Sequence, residues 1–169
     1  MTSIVVFACN GSKVLNQNSE VEIIPQKDNL KSTFTNPLLD NGADPWAIHH
    51  EGNYYYIKSE GASIVLLKTP DITDLRNAQK QVIWTAPETG DHSKNIWAPE
   101  IHFINSAWYI YVAADDGDNR NHRMFVLENT DKNPFEGSFN LKSKLKTDAN
   151  DNWAIDGSIF AYKNQFYFL

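Results

Sequence analysis

An all-β fold is what the sequence predicts, from three observations. Apolar and aromatic residues fall in short runs with period-2 alternation, bounded by Gly, Asn, Asp or Ser. A single stretch, 72–77, carries the pattern of a helical turn. One phrase, an acid followed by an apolar strand, a polar turn and an aromatic strand, recurs along the chain.

The first strands are expected at 46–50 (WAIHH) and 54–58 (YYYIK), two aromatic runs joined by the polar triplet Glu51-Gly52-Asn53. SIVLLKT at 63–69 is a β-branched run of strand length. It is followed by the helical turn and by QVIWT at 81–85. EIHFI at 100–104 and WYIYVAA at 108–114 form the next hairpin, across Asn105-Ser106-Ala107. RMFVLE at 123–128 completes this group. SIFAY at 158–162 and QFYFL at 165–169 flank Lys163-Asn164-Gln165. Each of the three polar triplets reads as a three-residue turn.

These turns start at Glu51, Asn105 and Lys163, spacings of 54 and 58 residues, enough for a four-stranded sheet with loops. Similar hairpins also occur in β-sandwiches. The same acid-then-hairpin phrase at so regular a spacing favours a β-propeller, each unit being one blade. In that fold the first strand of each blade lines the central axis, so the residues just ahead of it converge at one mouth of the channel. Asp44 and Asp156 each stand 7 residues ahead of their turns, and Glu100 stands 5 ahead. All three are therefore candidates for one pocket.

The composition is globular: 169 residues, 41% hydrophobic, 12% aromatic and 21% charged. A net charge of -6 and a pI near 5.3 exclude nucleic acid as the main partner, since phosphate binding needs clustered Lys and Arg. The single cysteine, Cys9, excludes an intrachain disulfide and a cysteine-cluster zinc site. Residues 1–33 are polar after a first apolar run and read as a leader or tether, with the domain at 34–169. MTSIVVFAC followed by NGSKVLNQNSEVE is similar to the end of a bacterial lipoprotein signal with Cys9 as the lipidated residue. With no basic n-region and a short h-region, it also fits an ordinary apolar N-terminus or a start upstream of Met1. The lipoprotein reading makes the protein extracytoplasmic, in the periplasm or on the bacterial surface, with membrane attachment only through Cys9.

Converging carboxylates in a Trp-lined hollow are what hydrolysis of a glycosidic bond requires. One protonates the leaving oxygen and another acts on water or on the sugar. Trp46 lies two residues after Asp44, while Trp97 and Trp153 lie three before Glu100 and Asp156, and indole faces suit the apolar faces of sugars. Taken alone, an Asp before Pro or Gly is an ordinary turn former. Alignment in a repeat is what lifts these acids above that reading.

The phrases NPLLDNGADPWAIHHEGNYYY, NIWAPEIHFINSAWYIYVAA, NRNHRMFVLEN and WAIDGSIFAYKNQFYF, in that order from Asn36 to Leu169, resemble glycoside hydrolase family 43. These are inverting arabinofuranosidases, xylosidases and arabinanases on a five-bladed β-propeller. The resemblance implies that Asp44 is the general base that activates water. It also implies that Asp156 orients the general acid and raises its pKa. The acid itself, a glutamate in the family's next blade, is expected beyond Leu169. It makes Trp46, Trp97, Glu100 and Trp153 substrate-binding residues of the pocket wall. Five blades of about 55 residues need roughly 275 residues, and Asn36 to Leu169 supplies 134, about two and a half blades.

The expected activity is hydrolysis of O-glycosyl bonds in plant-type polysaccharides or oligosaccharides with pentose side chains, α-L-arabinofuranosyl first and β-D-xylosyl second. A non-catalytic carbohydrate-binding half-propeller and an inert fragment are the alternatives. No redox or organic cofactor is implied. The resemblance allows a structural cation on the propeller axis, for which no ligands are assigned in this sequence. DDGDN at 115–119 has the wrong order and no Glu at the twelfth position for a calcium loop, and reads as a solvated hairpin tip. His49, His50, His92, His102 and His122 show no metal-ligand spacing, and His49 and His102 read as strand residues.

Overall fold

The computed structural model describes residues 33–169; Cys9 and nearly all of the segment expected to be a leader lie outside the described residues. Ten strands form two four-stranded antiparallel sheets and one hairpin. The first sheet runs β1 (Trp46–His50), β2 (Asn53–Glu60), β3 (Ser63–Thr69) and β4 (Gln79–Thr85), paired in sequence order. The second repeats this plan with β5 (Lys94–Ile104), β6 (Ala107–Asp115), β7 (Arg123–Asn129) and β8 (Asn140–Leu145). The hairpin is β9 (Ile159–Tyr162) with β10 (Gln165–Phe168). Two blades and the inner hairpin of a third are the repeat seen in the sequence.

The middle strands are buried on both faces, which is why they read as unbroken apolar runs rather than as strict alternation. Ile57, Ile64 and Leu66 of the first sheet share one core with Ile101, Trp108, Ile110, Phe125 and Leu127 of the second. Trp108 has no exposed surface, and its indole N–H donates to Lys132 O at 3.1 Å, so its polar handle is satisfied. On the other face of the first sheet Tyr56, Val65 and Leu67 are covered by Leu75, from the 3-10 turn Ile72–Asn77 that follows β3; a second 3-10 turn, Asn119–Asn121, which the sequence pattern did not mark, precedes β7. Strand β8, NLKSKL, was not marked by the sequence pattern. As an exposed outer strand it carries lysines and no apolar face, a composition that discourages further strand pairing.

The three hairpin turns are one residue shorter than the triplets imply. His50 pairs with Asn53, Ile104 with Ala107 and Tyr162 with Gln165, so the third residue already belongs to the following strand. Glu51-Gly52, Asn105-Ser106 and Lys163-Asn164 all have positive φ at both positions. That is the geometry whose twist matches a two-residue β-hairpin.

Candidate active site

Counting back from each turn exposes the frame of the site. Seven residues ahead of the turns stand Asp44, Ala98 and Asp156, with φ of 49°, 43° and 55°. A side chain with a Cβ is strained in that left-handed region, and Asp tolerates it better than Ala. All three repeats nonetheless bend the chain there, just before the inner strand at Asp44 and Asp156 and within β5 at Ala98. The residue in strict register with the two acids is Ala98, and Glu100 stands two residues further on, as its spacing from the turn predicts.

Two residues further on, the equivalent positions are Trp46, Glu100 and Ser158, and they join the repeats. Ser158 Oγ donates to Glu100 Oε2 at 2.6 Å, linking β9 to β5. Trp46 Nε1 donates to Ile101 O at 3.0 Å, linking β1 to β5. Glu100 is largely buried, and the same oxygen lies 3.3 Å from His102 Nε2. Burial holds the His102 imidazole below its usual pKa, partly offset by the Glu100 carboxylate. Glu100 thus has protein partners for its outward oxygen, and Asp44 and Asp156 each stand two residues from a contact with the Glu100–Ile101 step.

The loop before Asp44 is held from β2. Lys58, itself buried, donates from Nζ to Asn41 O at 3.2 Å and also contacts Asn41 Oδ1. A Cβ on Gly42 would lie 2.6 Å from Tyr56 Oη, so only glycine lets this loop approach the sheet. Burial raises the Tyr56 pKa, so its hydroxyl stays protonated there. Next to the other acid, a Cβ on Gly157 would meet the Phe168 ring at 2.2 Å, the same device in the third repeat. Asp44 and Asp156 are both exposed.

Trp97 is set differently from Trp46. Register shifts on either side of it break the β5–β6 ladder, and such bulges re-aim a side chain. Its ring is 37% exposed although Ile96 beside it is buried. Trp153 is exposed too, with its indole N–H donating to Asn119 O at 2.8 Å. Trp46 is half-buried, with its ring 5.1 Å from that of His102. Among the predicted wall residues, Trp97 and Trp153 present open faces, and Trp46 and Glu100 are committed to neighbours.

At the opposite end of the inner strands lies a 270 Å³ hollow lined by Ile48, His50, His102, Phe103, Phe160 and Phe166, among others. It contains none of the predicted acids. Among the described residues no group of three or more His, Cys, Asp or Glu stands close enough to hold a metal ion, so an axial cation finds no such ligand set there. DDGDN is corrected in part: Asp116 is exposed, but Asp115 has no exposed surface. Ala98, Ser158, His102, Asp115 and His122 were not assigned to the site from the sequence. Aligning every residue of the three repeats, rather than the acids alone, picks out Ala98 and Ser158.

The sequence profile of the family described as "Glycosyl hydrolases family 43" matches residues 34–169. The chain belongs to glycoside hydrolase family 43. It is 39% identical over 132 residues to an "Extracellular exo-alpha-(1->5)-L-arabinofuranosidase" of Streptomyces avermitilis, covering 76% of this chain and 27% of that protein. A Streptomyces chartreusis protein of the same name is 36% identical over 138 residues, covering 79% and 42%. The crystal structure of an α-L-arabinofuranosidase from Lactobacillus brevis superposes with a TM-score of 0.71 at 30% identity, covering 80% of this chain and 45% of that one. The family 43 chain therefore spans less than half the length of these relatives, and the fold it shares with them is the five-bladed propeller.

Proposed function

We propose that this family 43 chain carries the base side of an inverting pentosidase site, with α-L-arabinofuranosyl units preferred over β-D-xylosyl units. The observation that carries the reading is the shared register of Asp44 and Asp156. Both sit in a left-handed turn, within two residues of a glycine whose added Cβ would clash, and two residues from a side chain that bonds the Glu100–Ile101 step.

In this reading the exposed Asp44 takes a proton from the water that attacks the anomeric carbon. Asp156, by like charge, keeps the general acid protonated until it passes its proton to the leaving oxygen. The acid is a glutamate of another blade, not one of the residues described. Trp97 and Trp153 offer open indole faces to the sugar, and Glu100 braces the wall instead of touching substrate. The names of the Streptomyces relatives support arabinose and an extracytoplasmic location.

The test is a chimera in which residues 34–169 replace the matching part of the Lactobacillus brevis protein. It should hydrolyse an aryl α-L-arabinofuranoside faster than the β-D-xyloside. Asp44→Asn should lower that rate by at least ~100-fold, the lower end for general acid–base catalysis. A rate within a few-fold of the parent chimera would make Asp44 a turn residue only.

A further inference from the structure

Behind the proposed sugar wall lies a buried Asp–His pair that the chemistry above does not use. Asp115 and His122 both have no exposed surface, and His122 Nδ1 stands 2.8 Å from Asp115 Oδ2. A carboxylate taken out of water is costly unless its lone pairs are met. Here Asn95 Nδ2 donates to both oxygens at 3.0 Å, and the Gly117 N–H donates at 2.8 Å. The imidazole is held as firmly, with Nδ1 also 3.1 Å from Asn119 Oδ1 and Nε2 3.1 Å from Asn95 O.

Three links run from this pair to the front of the site. The Trp97 ring stacks on His122 with centroids 4.0 Å apart and planes 26° apart. His122 O accepts the Ala154 N–H at 3.2 Å. Asn119 O accepts the Trp153 indole N–H. The 115–122 segment therefore backs one open indole and anchors the other, two to three residues before Asp156. Backbone pairing holds Trp97 only opposite Ala113, because the β5–β6 register shifts on both sides of it.

We propose that the Asp115–His122 pair is a positioning device for the sugar site. It fixes the plane of Trp97 and the placement of the 153–156 segment, and so determines how tightly an arabinofuranosyl unit is gripped. The inference rests on the reading that Trp97 and Trp153 face the sugar. Neither member of the pair is exposed, so both act through those residues.

The full chain labelled with 5-fluorotryptophan reads this directly, since its five tryptophans give five ¹⁹F resonances, each assigned by a single Trp→Phe variant. Asp115→Asn, which keeps size, should move the Trp97 and Trp153 resonances and leave those of Trp46, Trp84 and Trp108 in place. His122→Gln should do the same by a larger shift. Titration with α-(1→5)-linked arabinobiose should show affinity falling by about tenfold in both variants, about 1.4 kcal/mol. Should His122→Gln not fold, Asp115→Asn decides alone. Five unmoved resonances, or all five shifting or collapsing together, would overturn the proposal, the second by making the pair a general brace of the fold. The underlying reading fails separately: Trp97→Ala with undiminished arabinobiose binding, or no binding by the parent chain, counts against the sugar wall and leaves the ¹⁹F result to judge the pair.

Discussion

The two ends of the inner strands β1, β5 and β9 are built on opposite principles. At the turn end two-residue hairpins close each pair, with the positive φ that such turns require, and rings such as Phe103 and Phe160 line the 270 Å³ hollow. At the other end the chain bends through Asp44, Ala98 and Asp156 in a conformation these residues resist, and β5 is broken around Trp97. The turn-end hollow is not the place where the acids, the open indoles and the broken ladder of β5 coincide. Strain concentrates where a side chain must be aimed, and it persists because packing around it over-determines the geometry. Concavity alone is a weak guide to chemistry in a propeller.

The widest difference between the two ends should appear at Asp156. In the chimera, Asp156→Asn removes a negative charge from beside the general acid, so that acid deprotonates more easily. The high-pH limb of the rate profile should move to lower pH, and the rate at neutral pH should fall by about 100-fold. An unshifted limb would deny Asp156 its electrostatic role. Ser158→Ala lies between the two ends. It strips Glu100 of its 2.6 Å donor, and a buried carboxylate left short of a partner costs about 1–3 kcal/mol, readable as a lower urea midpoint with the slope unchanged.

A smaller effect comes from His102, part of the turn-end lining. Its pKa is lowered by burial, so below the usual value near 6.5 the unfolded chain binds a proton that the folded chain refuses. Stability supplied by the neutral ring is complete above that pH and is lost as pH falls toward the depressed folded value. Urea midpoints between pH 8 and 5 should drop on the acid side, and His102→Phe should flatten that drop. The smallest effect belongs to the turn itself. Ser106, at φ 65°, replaced by Gly gives the Asn-Gly pair that this hairpin favours, and should stabilise by about 0.5–1 kcal/mol without altering hydrolysis.

The blades were legible because a period-2 pattern repeated with aromatic strands and polar turns leaves few other folds. Strand β8 was not, since an exposed outer strand has no apolar face to betray it. Asp44 and Asp156 could be singled out by their phrase. Ala98 could not, because its defining property is a backbone angle that no alanine advertises. The same holds for Asp115, which looked like a solvated turn acid until burial showed it paired with His122. Charge in the sequence says nothing of which loop carboxylate turns inward.

The most direct test of the account is a crystal structure of the chimera carrying Asp44→Asn, with α-(1→5)-linked arabinobiose bound. The account predicts a sugar ring at the strained end. The side chain at position 44 should lie within about one water of the anomeric carbon, with Asp156 facing the same pocket and Trp97 alongside the ring. A sugar seated instead in the hollow between Ile48, His102 and Phe160, or Asp156 turned away from the pocket, would contradict it.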